Sequence, residues 1–255
     1  MCHLNYFKPY IFAPPMFRAC RKGDIAKLKK LLAAKAKVNV RRRDGTTPLM
    51  IASLHGNIDA AQFLIQNGAD VNAQDNKGMT SLAFASLCSR KYLHLMKRRY
   101  HDMVDKSHRM NVDGTINFPM YYPAYRDTYA DVAKLLVQNG ADVNLDDAQS
   151  NTPLMYAAFS GNEKLVEFLI SSGANVNAAN YEGATPLMNA VLVKSFASTG
   201  VVRMLIEHGA DVNVREKDGM TVMSFASVRA NSEIKQLLRD SGAEGEIISC
   251  CRKRT

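Results

Sequence analysis

Gly68-Ala69-Asp70-Val71-Asn72 is the stretch on which the fold turns, because the chain writes it repeatedly. It returns as Gly140-Ala141-Asp142-Val143-Asn144, Gly173-Ala174-Asn175-Val176-Asn177 and Gly209-Ala210-Asp211-Val212-Asn213, and a degenerate copy reads Lys35-Ala36-Lys37-Val38-Asn39. The valines fall at 38, 71, 143, 176 and 212, in steps of 33, 72, 33 and 36 residues. With 33 as the unit, the second step carries 39 extra residues and the last carries 3. A second string keeps the same beat: Thr47-Pro48-Leu49, Ser81-Leu82, Thr152-Pro153-Leu154, Thr185-Pro186-Leu187 and Thr221-Val222. It follows Gly45, Gly78, Gly183 or Gly219, or the stand-in Ser150. Two different strings with one period define a repeat array.

Each unit has a legible local physics. Thr47 is a helix cap, and Pro48 takes the first helical position, where a missing N–H is harmless. Leu49, Ile51 and Ala52 start a short helix that Gly56-Asn57 breaks. Ile58, Ala61, Phe63, Leu64 and Ile65 make a second amphipathic helix, and Gly68 ends it in the left-handed conformation. Neither helix can bury its apolar side alone, so neighbouring units must stack into one continuous core.

These residues resemble the ankyrin repeat family over about residues 16–244. The resemblance implies an all-α repeat solenoid, an α-α superhelix in which each unit is a β-turn plus a helix-turn-helix. Six units lie near 16–41, 42–74, 75–146, 147–179, 180–215 and 216–244, after an extension at 1–15 and before a basic tail at 245–255. The last unit shows polar Ser232, Glu233, Lys235, Gln236 and Arg239 on its second helix, as a solvent-facing cap should. One departure stands out. Where the family usually has histidine, two residues after the proline, this chain reads Met50, Ala83, Met155, Met188 and Met223. A methionine ladder replaces hydrogen bonds with adaptable packing.

The 39-residue excess falls between the two helices of the third unit, at about 89–126. Its first half reads as an extended helix with a stripe that includes Tyr92 and Tyr100. Its second half is a loop with Phe118, Tyr121 and Tyr122. These aromatics either pack back on the array or form a binding element, since tyrosine is frequent at interface hot spots. His94, His101 and His108 stand seven apart, about 10.5 Å per step on a helix, too far for two to share a metal ion.

The net charge of +9 is uneven. Residues 1–44 hold 12 basic and 2 acidic residues, while the repeats beyond them are mildly acidic. Five scattered cysteines give no disulfide framework or metal pattern, and Cys20 sits at an apolar helical position. No phosphate loop, zinc-finger pair or nucleophile elbow is present, so neither enzyme, cofactor nor metal is expected. Without a signal-peptide pattern at the start, the cytoplasm is the expected compartment; a start site further upstream would make it secretion or the periplasm.

The resemblance implies a monomer that binds another protein, as adaptor or inhibitor, on a concave surface of turn fingers and first helices. Contact positions there include Arg43, Thr46, Leu54, His55, Asn76, Lys77, Met79, Phe159, Ser160, Tyr181, Glu182 and Arg229, with Leu54, His55, Phe159 and Tyr181 as anchors. The second reading is a regulatory or targeting protein that docks its basic cap and insertion on an anionic surface, whether acidic protein, lipid or nucleic acid. Nucleic acid and membrane are disfavoured, since few aromatics interleave the lysines.

Overall fold

A computed structural model describes residues 15–87, 125–192, 199–229 and 232–244. The regular elements among them are helices, with one isolated β-bridge between Arg215 and Thr221. The helices come in pairs: α1 (Pro15–Lys22) with α2 (Ile25–Ala33), α3 (Pro48–Leu54) with α4 (Ile58–Gln66), and α5 (Ser81–Leu87) with α6 (Tyr125–Gln138). Then follow α7 (Pro153–Ser160) with α8 (Glu163–Ser171), α9 (Pro186–Val191) with α10 (Thr199–Glu207), and α11 (Val222–Arg229) with α12 (Ser232–Asp240).

The starts of the first helices repeat one device. Thr47, Thr152 and Thr185 sit in extended backbone and accept the N–H groups of Met50, Met155 and Met188 at 3.3, 3.4 and 3.4 Å. Thr80 does the same for Ala83 at 3.1 Å and Thr221 for Ser224 at 3.3 Å. The last of these caps corrects the sequence reading. The residue equivalent to Met50 in α11 is Ser224, and Met223 takes the place of core Leu49. Ser224 also accepts the Thr221 N–H at 3.3 Å, as the Met50 sulfur accepts that of Thr47 at 3.2 Å. The ladder therefore reads Met50, Ala83, Met155, Met188 and Ser224, all buried.

The first helices pack side by side as one layer, in the order α1, α3, α5, α7, α9, α11. The second helices form the other layer, in the order α2, α4, α6, α8, α10, α12. One core runs between the layers from Met16 to Leu238. Its small members, such as Ala52, Ala85, Ala157 and Ala190, let the helices approach, and Leu49, Leu64, Leu82, Leu154, Leu165 and Leu187 fill the seam.

A second set of contacts joins the pairs. Asn39, Asn72, Asn144, Asn177 and Asn213 each reach the next unit twice. Each side-chain amide donates to a glycine carbonyl, of Gly68, Gly140, Gly173, Gly209 and Gly242, at 2.8–3.1 Å. Each side-chain oxygen accepts the backbone N–H two residues beyond that glycine, at Asp70, Asp142, Asn175, Asp211 and Glu244. The period that made these strings look like turn residues thus reflects five equivalent rungs. Because the rungs are exposed, water replaces part of what a deletion removes. Asn144→Ala is expected to cost about 1–2 kcal/mol, two hydrogen bonds at about 0.5–1.5 each, measured by urea unfolding.

The glycine of each fingertip holds a positive φ, +81° at Gly45 and +75° at Gly78. Ser150 adopts φ 59° at the same place, which makes it a true substitute under strain. A left-handed non-glycine residue costs about 1–2 kcal/mol. Ser150→Gly should therefore raise the unfolding free energy by about 1 kcal/mol, less the entropy glycine returns to the unfolded chain.

Candidate functional site

Five turns project from the ends of the first helices as fingers. Three are built on an Asp or Asn at the base, where the first has Arg42 and the last Glu216. Asp75 accepts the N–H groups of Lys77 and Met79 at 2.8 and 3.0 Å, and Asp147 accepts those of Gln149 and Asn151 at 2.8 and 2.9 Å. Asn180 accepts those of Glu182 and Ala184 at 3.0 and 2.9 Å. The fingers then bond to one another through backbone. The Asn76 N–H reaches the Asp44 carbonyl at 3.0 Å, Ala148 reaches Lys77 at 2.8 Å, Tyr181 reaches Gln149 at 3.1 Å and Lys217 reaches Glu182 at 2.9 Å. Their tips consequently form one stiff row beside the first-helix layer.

The structure sorts the residues expected at this face. Arg43, Asn76, Tyr181 and Glu182 are exposed on the row of tips, and Lys77 is half-buried there. The side chain of Asn76 is tied to the Arg43 carbonyl at 3.0 Å, so it braces two fingers. His55 and Phe159 are half-buried on the first helices. Thr46, Met79, Leu54 and Ser160 are buried, and they are withdrawn from the surface. Thr46 and Met79 close their turns: the Thr46 carbonyl accepts the Arg42 N–H and the Met79 carbonyl accepts that of Asp75, both at 3.0 Å, which draws these residues under the finger. The hydroxyl of Ser160 turns back to the Ala157 carbonyl at 2.8 Å. The side chain of Arg229 and the insertion residues Tyr92, Tyr100, Phe118, Tyr121 and Tyr122 lie outside the described residues, as do the three spaced histidines.

Two features of the face escaped the sequence reading. Tyr156 stands on the inner side of α7 and donates its phenol to Asp147, which joins the helix to the finger base. The other feature is basic. Pro15 of α1 corresponds to Pro48 of α3, and Gly23 and Gly56 end the two helices at φ 68° and 65°. In that register Arg18, Arg21 and Lys22 occupy the positions of Ile51, Leu54 and His55. The signal was visible as Arg21-Lys22-Gly23-Asp24 against Leu54-His55-Gly56-Asn57. The electrostatics agree: burial first, and then the charge of Arg21, push the pKa of His55 down from 6.5 to about 4. His55 is therefore neutral near pH 7.

Cys20 lies fully inside, and burial raises its thiol to about 12 against a small opposing backbone hydrogen bond. A thiol so held is no nucleophile near neutral pH. Among the described residues no helix is long and apolar enough to cross a membrane.

Comparison with known proteins places this geometry. The family model described as ankyrin repeats matches three times, at residues 16–106, 92–180 and 120–216. The chain is similar to the ankyrin repeat protein YahD of Escherichia coli (strain K12), 28% identical over 226 residues that cover 88% of this chain and 94% of that one. It is similar in structure to an ankyrin repeat domain from Acinetobacter baumannii AYE, with TM-score 0.65 and 28% identity over 90% of this chain and 98% of that chain. It is also similar to a chain in the structure of the predatory endopeptidase Bd0816 from Bdellovibrio bacteriovorus in complex with immunity protein Bd3460. There the TM-score is 0.65 and the identity 26%, over 89% of this chain and 98% of that chain. Other curated relatives are much longer: the chain spans 19% of one and 7% of another.

Proposed function

Since the chain belongs to the ankyrin repeat family, whose repeats are protein-interaction modules, we propose that it is a non-catalytic adaptor or inhibitor that holds one partner protein on its finger face. The observation that carries this reading is Tyr181. It is 61% exposed at a fingertip whose backbone is already fixed, so the ring adds nothing to the fold. Half-buried Phe159 stands near the end of α7, with Leu87 and Leu192 at the same position of the flanking first helices, and tyrosine together with such residues is the composition of an interface centre. The likeness to a chain in an endopeptidase–immunity protein complex supports an inhibitory role, in which binding to a partner enzyme is the whole activity.

Affinity purification with mass spectrometry tests this, with the intact chain, Tyr181→Ala, and a chain lacking residues 90–125 as baits. Tyr181→Ala should remove a partner, with at least a tenfold loss of affinity, about 1.4 kcal/mol or more, when the purified pair is titrated. Its thermal unfolding should match the intact chain. A bound set identical for the intact chain and Tyr181→Ala rules out this face as the site. Loss only from the truncated chain moves the site to the insertion.

A further inference from the structure

Building on that reading of the finger face, we infer that its occupant is a protein segment with a cluster of carboxylates at one end and bulky apolar side chains behind it, laid with the carboxylates toward α1. Three placements converge. Arg21 and Lys22 are exposed at the inner-face positions of α1, and Arg43 is exposed on the adjoining fingertip. Among the described residues no carboxylate pairs with any of the three. Lys27, Lys29 and Lys30 belong to α2 in the other layer, so the basic first pair has two separate faces, and only one adjoins the fingers.

Beyond this end the face turns apolar. Half-buried Leu87, Phe159 and Leu192 hold, in α5, α7 and α9, the position that Arg21 holds in α1; its counterpart in α3, Leu54, is buried. Further along, the sign reverses. Burial first, and then the nearby charges of Asp218 and Glu182, oppose ionisation of Glu216. Lys217 and Arg215, whose guanidinium keeps its charge while it donates to the Gly219 carbonyl at 3.3 Å, offset most of that charge. A ligand acidic throughout would gain nothing there, and the basic end at α1 sets the direction of binding. The scale fits a short segment. First helices packed about 9 Å apart put α1 and α7 about 27 Å apart, the reach of about eight extended residues.

The probe is a fluorescein-labelled twelve-residue peptide with four glutamates followed by alternating leucine and phenylalanine, and versions with the glutamates replaced by glutamine or lysine. Fluorescence anisotropy is read with the full chain at low salt. The glutamate peptide should bind at least tenfold tighter than the glutamine version, and the lysine version weaker still. Arg21→Glu with Lys22→Glu should abolish that preference, Arg21→Gln with Lys22→Gln should reduce it, and Lys29→Glu with Lys30→Glu should leave it intact. Thermal unfolding of each variant checks the fold. Equal binding of glutamate and glutamine peptides, binding of none of them, or equal weakening by the α1 and α2 reversals would overturn the inference. Vesicles of phosphatidylserine that bind the chain through Lys29 and Lys30, with no peptide preference, would do the same in favour of a membrane. The natural partner separates this failure from that of the underlying reading: a partner lost in Tyr181→Ala but indifferent to Arg21→Glu with Lys22→Glu sinks the charge polarity alone.

Discussion

Gly78→Ala should destabilise the chain by about 2–5 kcal/mol, the sum of a left-handed alanine at about 1–2 and an unrelieved backbone contact at about 1–3. Gly78 holds φ +75°, and a Cβ there would stand 2.6 Å from the Ala148 nitrogen and 2.9 Å from the Asp147 carbonyl carbon. Both neighbours are backbone, so no side chain can swing aside. The contact is also where the Ala148 N–H meets the Lys77 carbonyl at 2.8 Å, so the methyl would force two fingers apart. Gly68→Ala is the matched control. Its φ is +83° and nothing lies within 4 Å of its would-be Cβ, so only the backbone part, about 1–2 kcal/mol, is expected. Urea unfolding of the two variants should separate them by about 2 kcal/mol. Equal losses would mean that the fingers are not in contact at Gly78.

His55 should make the fold sensitive to acid. Its native pKa, about 4, lies below the ordinary 6.5. Between those values the unfolded chain takes up a proton that the folded chain refuses. The stabilisation from a neutral His55 is therefore complete above pH 6.5, declines as pH falls toward 4, and is gone below that. The limit is about 3 kcal/mol, from the fall from 6.5 to about 4 at about 1.36 kcal/mol per tenfold change in proton affinity. Burial is the main cause and Arg21 the lesser one, so His55→Gln should remove most of the slope across this window and Arg21→Gln only a part of it. Unfolding free energies of the three proteins at pH 7.0, 5.5 and 4.5 provide the measurement. A slope unchanged in His55→Gln would assign the acid sensitivity to carboxylates instead.

What the sequence disclosed depended on how local the physics was. A Thr cap, a Pro after it and a Gly past a helix end act within a few residues, so the period and the helix starts were readable from the residue string. The last copy went astray by one position because Val222 stands for proline and Met223 imitates the methionine of the ladder. Thr221 keeps its place two residues after Gly219, so counting three residues on from it gives Ser224, and the Thr221–Ser224 hydrogen bonds fix the same register. Burial at the finger base was invisible for another reason. Thr46 and Met79 occupy a position that looks variable, yet in these two turns the backbone bond holds the residue buried, whereas Asn151 and Met220 at the same place are half-buried. The asparagines were conspicuous at 39, 72, 144, 177 and 213, but their partners lie 29 to 68 residues away. No local rule connects them. The polar side of α1 was concealed by its context, since a lysine- and arginine-rich terminal segment reads as a plain solvated cap until its register with α3 is known.

The rung between Asn72 and Gly140 spans 68 positions and is 2.8 Å long, while that between Asn39 and Gly68 spans 29 and is 2.9 Å. The joint is thus indifferent to how much chain runs between its halves. A gene built this way can gain or lose a whole 33-residue block, or accept foreign sequence at the α5–α6 connection, and every splice still closes on an identical fastening. Recombination could therefore lengthen or shorten the row of fingers, and so the footprint offered to a partner, without a new solution to the folding problem at each step.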